Sequence, residues 1–235
     1  MTASIELALA GERLQLRSER AVFLPAHGTL LVADAHVGKA LSFRRLGVPV
    51  PGGTTADLLR RLDALVEATG ARRIVFLGDF LHSARAQTAA TVAALARWRE
   101  RHAALQLTLV RGNHDRRAGD PHASLAIDCV DEPLRLGALA LCHHPRAVPG
   151  AYVLAGHWHP CASVGGRALD RLRLPCFWLG AEARHPVGVL PAFGGFTGMH
   201  PIARRAGDRV FVLTDDRVAE VPPRGGRGPA YTLAP

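Results

Sequence analysis

The chain has 235 residues, of which 48% are hydrophobic and 21% are charged, as is usual for a globular protein. No apolar run approaches the ~20 residues of a membrane-spanning helix, so a membrane-spanning protein is excluded. Its 29 Lys+Arg against 20 Asp+Glu give a formal net charge of +9, which favours a polyanionic partner, although a compositional bias toward arginine would produce the same excess.

The predicted elements, taken in chain order, begin with an alternation of apolar and polar residues that is typical of a strand pair and not of a signal peptide. Residues 54–69 and 86–101 carry apolar side chains at helical spacing, so we expect two helices there. Two short apolar runs around Gly137 predict a hairpin. Residues 222–235 are rich in Pro and Gly, which predicts a disordered tail after a single domain of residues 1–221.

Five other short apolar runs are typical of buried strands, and each ends in a group of polar residues. These five groups are, in chain order, Asp34-Ala35-His36, Gly78-Asp79, Gly112-Asn113-His114-Asp115, His143 and Gly156-His157-Trp158-His159. Alternation of strands and helices followed by hairpins predicts an α/β fold. Because α/β proteins build sites at the carboxyl ends of strands, we expect five strand ends of one sheet to bring these groups to one rim.

The residue types in these groups suit two adjacent divalent cations, because imidazole favours transition metals and carboxylate or amide oxygens favour harder ions. One carboxylate must bridge two cations to hold them ~4 Å apart, and Asp79 is the best candidate. Asn113 would add a neutral oxygen ligand. Each group alone is more often an ordinary turn, but five in this order make a metal site the better interpretation.

This order of motifs resembles that of the calcineurin-like metallophosphoesterases, over residues 30–160. A finer resemblance, to the bacterial ligase-associated DNA damage response endonucleases of the PdeM family, extends over about residues 22–199. It is carried by Asp34-Ala35-His36-Val37-Gly38-Lys39, residues 43–54, Gly78-Asp79-Phe80-Leu81-His82 and Leu190-Pro191-Ala192-Phe193-Gly194. The resemblance implies a four-layer sandwich of two packed mixed β-sheets flanked by helices.

Chemistry and resemblance together predict two metal positions that share Asp79. The first would use Asp34, His36, Asp79 and His159, and the second Asp79, Asn113, His143 and His157. In the fourth motif we predict His143 as the ligand, because it directly follows the apolar run and neighbouring strand residues point to opposite sides. His144 remains the alternative. The mixed nitrogen and oxygen ligands favour Mn²⁺, with Fe or Zn as alternatives.

The third motif also supplies the predicted catalytic residues. A hydroxide bridging the two metals would be the nucleophile, and His114 would protonate the leaving alkoxide or stabilise its charge. Asp115 could orient His114 as a carboxylate does for other catalytic imidazoles. Capping of a turn explains Asp115 equally well.

Substrate contacts are expected from basic residues beside the motifs. Lys39 is the only lysine among the 29 basic residues and follows His36 by three positions, where a compact ammonium could meet a phosphate. Four arginines on the motif loops could contact a DNA backbone, although a solvated basic loop is the alternative. They are Arg44, Arg45, Arg111 and Arg116.

The sequence therefore favours a dinuclear metal-dependent phosphodiesterase, with a DNA endonuclease acting in repair on single-stranded or damaged DNA as the first hypothesis. The alternatives are a small-molecule or protein phosphoesterase and a metal-bound interaction module without turnover. Association with a DNA ligase, an exonuclease and a helicase is implied by the resemblance alone. The four cysteines lack CxxC spacing, as expected for buried thiols of a cytoplasmic protein.

Overall fold

The computed structural model describes residues 3–45, 47–50, 53–165, 171–183 and 185–223, in which two β-sheets pack face to face. Most of the predicted tail, from residue 224 on, lies outside the described residues. In the part of the chain described, no helix has the length and hydrophobicity needed to cross a membrane.

The first sheet has seven strands, and their order in space is their order in the chain. Its strands are β1 (Ser4–Leu9), β2 (Glu12–Arg17), β3 (Ala21–Leu24), β4 (Thr29–Val32), β5 (Arg73–Leu77), β6 (Gln106–Val110) and β7 (Ile127–Val130). Strands β1 to β4 form an antiparallel meander, which includes the predicted strand pair, and β4 to β7 are parallel.

The second sheet has nine strands and is also mixed, with spatial order β14-β11-β12-β13-β10-β9-β8 and with β15 and β16 added beside β12. Its strands are β8 (Leu134–Leu136), β9 (Leu139–Leu141), β10 (Tyr152–Ala155), β11 (Pro160–Gly165), β12 (Arg171–Leu179), β13 (Val187–Val189), β14 (His200–Pro201), β15 (Arg209–Leu213) and β16 (Val218–Val221). The antiparallel pair β8 and β9 is the hairpin predicted around Gly137.

The described helices are α1 (Lys39–Arg45), α2 (Thr54–Thr69), α3 (Ala89–Arg101) and α4 (Asn113–Ala118). Helix α2 buries Leu58, Leu62 and Leu65 on one face and ends at Gly70, whose φ is 62°. Complete burial of one leucine side chain contributes about 1.5–3 kcal/mol. Helix α3 begins three residues later than predicted because Thr88 caps it, accepting the Thr91 backbone N–H at 3.2 Å.

Alternation along the parallel strands separates two apolar cores. In β5, Ile74 and Phe76 pack against α2 and α3, whereas Val75 and Leu77 pack against the second sheet. The opposite face of the second sheet carries a third apolar cluster, to which none of the four described helices contributes. The predicted α/β sandwich of two mixed sheets flanked by helices is confirmed, with these helices on the first sheet.

The five motif strands do not belong to one sheet, so that part of the sequence prediction is wrong. Strands β4, β5 and β6 lie in the first sheet, whereas β9 and β10 lie in the second. A short apolar run carries no information about which sheet it joins. Because the sheets pack face to face and these five strands run parallel within them, their carboxyl ends still meet at one rim.

Candidate metal centre

Residues after three of the five strand ends, those of β4, β5 and β10, have unusual backbone conformations. Five candidate ligands have φ in the left-handed region, namely Asp34 (51°), His36 (45°), Asp79 (50°), His157 (71°) and His159 (48°). Each such conformation costs a non-glycine residue about 1–3 kcal/mol and persists only where the surrounding structure imposes it. Their concentration at one rim indicates that a functional arrangement fixes the backbone here.

One side of the rim brings together Asp34 and His36, which are buried, and His159, which is half-buried. His159 donates its Nδ1 hydrogen to the Gly198 carbonyl at 3.0 Å, so its Nε2 carries a lone pair in the neutral ring. That lone pair faces His36 Nε2 at 3.3 Å and Asp34 Oδ1 at 3.6 Å. Buried Asp34 Oδ1 has no hydrogen-bond partner among the described residues, as expected where a cation completes the site.

The other side brings together Asp79, Asn113, His143 and His157. His143 is fully buried and donates its Nδ1 hydrogen to the Leu77 carbonyl at 3.0 Å. Its Nε2 lone pair therefore faces Asn113 Oδ1 at 2.9 Å, His157 Nδ1 at 3.1 Å and Asp79 Oδ1 at 3.5 Å. Acceptors converging in this way fit a shared cation.

The two sides are linked through buried carboxylates. Asp34, Asp79 and His143 themselves form a group that could hold a metal. The His157 backbone N–H donates to Asp34 Oδ2 at 2.9 Å, which joins the last motif to the first. The chemistry of the whole donor set, imidazole with carboxylate and amide oxygen, fits two adjacent divalent cations.

Burial prepares several of these imidazoles for coordination by keeping them neutral. Burial lowers the pKa of His36 to about 2, with Lys39 and neighbouring histidines adding to the effect. Burial likewise lowers the pKa of His143 to about 4. The pKa of Asp79 is raised, again mainly by burial. At neutral pH the two rings therefore present lone pairs to a cation without first losing a proton.

Two motif glycines make room for the ligands. A Cβ on Gly78, whose φ is 77°, would lie 2.2 Å from His143 Nδ1. A Cβ on Gly112 would lie 2.3 Å from Asp79 Oδ1. The Gly-Asp and Gly-Asn spacings of the sequence therefore reflect close packing between motifs and not only turn geometry.

His114 lies beside the cluster but is anchored differently from the candidate ligands. Its backbone N–H donates to Asp79 Oδ1 at 2.8 Å, and its Nδ1 donates to the His82 carbonyl at 2.7 Å. The His82 ring stacks on it with centroids 5.2 Å apart. The free ring nitrogen, Nε2, lies 4.0 Å from Asp79 Oδ2. The carbonyl and the ring of His82 thus hold the predicted acid in place.

Asp115 differs from the expectation that it orients His114. Its buried carboxylate accepts the Gly112 backbone N–H at 3.0 Å and the Leu81 backbone N–H at 3.1 Å. It therefore ties the second motif to the third, whereas the His82 carbonyl orients the imidazole. The sequence left a turn-capping role open, and these contacts correspond to that interpretation.

The fourth motif contains a contact that the sequence did not reveal. Glu132 Oε2 accepts the backbone N–H groups of His143 and His144 at 2.8 and 2.9 Å. Its Oε1 faces His144 Nδ1 at 2.9 Å and Arg146. The His144 side chain is 38% exposed, whereas that of His143 is completely buried. His144 also flanks His157, with ring centroids 4.8 Å apart.

Three of the predicted substrate residues lie on helix α1. Lys39 is half-buried at the start of the helix, where burial lowers its pKa while the charges of Asp34 and Asp79 act to raise it. Its backbone N–H donates to the His36 carbonyl at 3.1 Å, so α1 begins directly after the first motif. Arg44 is exposed on the same helix, and the side chain of Arg45 lies outside the described residues.

The other two predicted substrate residues are already paired. Arg111 forms two 2.8 Å hydrogen bonds with Asp120, and Arg116 bonds Asp131 at 2.8 Å. Because carboxylates neutralise these guanidinium groups, the structure does not present them as free phosphate contacts, contrary to the expectation. Motif proximity alone could not reveal partners at positions 120 and 131.

Known proteins resemble this chain in both sequence and structure. The family model described as calcineurin-like phosphoesterase matches residues 29–140. The nuclease MPE of Pseudomonas putida is 41% identical, over 93% of this chain and 100% of that chain, with a TM-score of 0.81.

More remote structures are also similar, although no curated protein sequence gave a match. One is Yfce, a phosphoesterase from E. coli, at 16% identity over 82% of this chain and 97% of that chain, with a TM-score of 0.42. Another is the AQ665 protein of unknown function from Aquifex aeolicus, at 15% identity over 60% and 81%, with a TM-score of 0.37. The family match and the 41% identity decide the assignment. The chain belongs to the calcineurin-like phosphoesterases and is a metal-dependent phosphoesterase.

Proposed function

We propose that this enzyme is a dinuclear phosphodiesterase that cleaves DNA. The convergence of five strand-end motifs on one rim, with buried acceptors facing one another, is the observation that carries the metal-dependent chemistry. Similarity to a nuclease over almost the whole chain supports nucleic acid as the substrate. The formal net charge of +9 favours a polyanion in the same way.

We assign Asp34, His36, Asp79 and His159 to one metal, as their mutual distances suggest. The second metal would be held by Asp79, Asn113, His143 and His157, with His143 preferred over His144 because it is buried against Asn113. Divalent cations held there would neutralise phosphate oxygens and activate a water as the nucleophile. The mixed nitrogen and oxygen donors favour Mn²⁺.

The remaining chemistry falls to groups that do not bind metal. His114 would give a proton to the leaving alkoxide from Nε2, because its Nδ1 is engaged by the His82 carbonyl. Lys39 would bind a phosphate oxygen next to the metals, where its charge is drawn toward Asp34 and Asp79. Asp115 would act only by holding the two motif loops together.

We further propose a role in DNA repair in the cytoplasm, on single-stranded or damaged DNA. The resemblance of the motif loops to ligase-associated endonucleases supports this, as does the unpaired state of the four cysteines. Functional association with a DNA ligase, an exonuclease and a helicase follows from that resemblance alone.

The test is reconstitution of protein stripped of metal. We expect no activity in chelator and recovery with Mn²⁺ on single-stranded DNA, nicked duplex and bis(p-nitrophenyl) phosphate. Full activity of the stripped protein in chelator would contradict the metal assignment. Cleavage of the aryl diester with no cleavage of DNA would favour a small-molecule phosphoesterase, and metal binding without any turnover would favour an interaction module.

A further inference from the structure

A tryptophan stands exposed beside the candidate metal centre. Trp158 lies between His157 and His159, and 39% of its surface remains accessible. Both neighbours have left-handed backbones, so the position of the indole is fixed by the same strained loop that presents the two imidazoles. A large aromatic side chain that is held in place but left partly open is available to a ligand.

Trp158 forms one wall of a pocket of about 450 Å³. Its ring centroid lies 6.0 Å from that of Trp178, with the two planes 38° apart. The pocket is lined mainly by apolar and aromatic surfaces, with a basic residue at its edge. Its lining includes Pro145, Trp158, Trp178, Val187, His200 and Arg205. Its volume is in the range of small-molecule pockets.

The pocket is built on a buried carboxylate. Asp208 is 3% exposed and accepts the Trp178 indole N–H at 2.9 Å. The same carboxylate accepts the Arg205 backbone N–H at 2.8 Å. Asp208 therefore fixes both the aromatic wall and the segment that carries the basic edge, so that little reorganisation would accompany binding.

The pocket and the candidate metal centre share their framework. The His200 backbone N–H donates to the His159 carbonyl at 2.9 Å, and Pro145 lies two residues after His143. The exposed guanidinium of Arg205, which bonds the His185 ring at 3.0 Å, adds positive charge at the pocket edge. A ligand that combines a flat apolar face with an attached anion matches this pairing of indole and guanidinium.

We propose that Trp158 is a stacking platform for an unpaired nucleobase of the strand whose phosphodiester lies at the metal centre. This inference deepens the proposed nuclease function and rests on it. Bases in a duplex have both faces covered by their neighbours, whereas a base of a single strand can turn out and stack on an aromatic side chain. The platform thus selects single-stranded substrate without reading its sequence.

The test compares binding of a single-stranded oligonucleotide with binding of a strand of the same length made of abasic nucleotides. His114→Ala serves as the background so that the strands remain intact. Adding Trp158→Ala should weaken binding of the base-bearing strand about 5- to 150-fold, since stacking contributes ~1–3 kcal/mol per base. It should leave binding of the abasic strand unchanged. Leu172→Ala, which removes an exposed apolar side chain from β12, is the matched control and should change neither.

Equal weakening for both strands would overturn the proposal, because the contact would then be to the backbone. A base-bearing strand that binds the His114→Ala background no tighter than the abasic strand would overturn it too. If Trp158→Ala disturbs folding, the indole fluorescence of the unaltered chain is measured instead. Base-bearing strands should quench this fluorescence and abasic strands should not. Equal quenching by both strands, or none by either, would refute stacking.

The nuclease assignment is tested separately by DNA hydrolysis in the unaltered enzyme. If the unaltered enzyme hydrolyses DNA normally and Trp158→Ala does not weaken binding of the base-bearing strand, the stacking platform is contradicted and the nuclease assignment is not. Absence of hydrolysis contradicts the nuclease, and the binding comparison still decides whether Trp158 stacks on bases.

Discussion

At the scale of single residues, the imidazoles of the candidate centre differ in where their second ring nitrogen points. The imidazoles of His143, which is buried, and His159, which is half-buried, each use one nitrogen on a carbonyl and direct the other into the cluster. His114 also uses Nδ1 on a carbonyl, but it lies to the side of the cluster and is about a third exposed. This difference is the basis on which we propose coordination for the first two residues and proton transfer for the third.

The variant His114→Ala tests that separation. It should retain both metals, because the imidazole is anchored by His82 and not by the facing acceptors. Loss of a general acid typically lowers the rate about 10²–10⁴-fold, and we expect a loss of this size on DNA. The loss should shrink for bis(p-nitrophenyl) phosphate, whose nitrophenolate leaves without a proton. Metal content and the two rates are the measurements, and a protein that loses metal would show His114 to be a ligand.

At the scale of elements, the sequence pattern predicted those helices and hairpins whose bounds depend on neighbouring residues alone. Helix α2 agrees with its predicted bounds because leucine spacing and Gly70 both act within the helix, and the hairpin β8-β9 was equally visible. Assignment of β9 and β10 to a second sheet was not predictable, since it depends on strand pairing between distant segments. The roles of Glu132 and Asp115 were hidden for the same reason, because their backbone partners lie in other loops.

Glu132 provides a prediction at this scale, since it holds the loop after β9 through two backbone N–H groups. Glu132→Gln should lower metal affinity about 10- to 100-fold, the usual loss when a group that orients a ligand is changed. Activity should recover at saturating metal, because the candidate ligands remain. Titration calorimetry with Mn²⁺ measures the affinity.

The matched control for Glu132 is Glu220→Gln, which alters a carboxylate that pairs with Arg209 at 2.7 and 2.8 Å on the outer strands β15 and β16. Its metal affinity should equal that of the unaltered chain. Equal losses in the two variants would mean that Glu132 acts on stability in general and not on the fourth motif.

At the scale of the whole molecule, the site exists because two sheets end at the same rim. Strands β4, β5 and β6 supply Asp34, Asp79 and Asn113, and the second sheet supplies the histidines opposite them. The carboxylates at the rim are negative, whereas the protein as a whole carries a formal excess of nine positive charges. Several guanidinium groups are neutralised by carboxylates, so the distribution of unpaired charge, and not the total, should govern binding of a polyanion.

The salt dependence of DNA binding tests whether unpaired charge, and not net charge, governs binding. Arg44 is exposed on α1, whereas Arg13 is exposed on β2 but paired with Glu6 at 3.1 Å. Each substitution by alanine removes one positive charge, so net charge alone predicts the same effect for both. If Arg44 contacts a phosphate, Arg44→Ala should reduce the slope of log K against log salt by about 0.7 for a single strand, because one fewer counterion is released.

Arg13→Ala should leave the slope unchanged, and hydrolysis of bis(p-nitrophenyl) phosphate should stay nearly the same in both variants. Equal slopes for Arg44→Ala and the unaltered chain would show that Arg44 does not contact the DNA. Equal flattening by both variants would show that bulk charge governs binding.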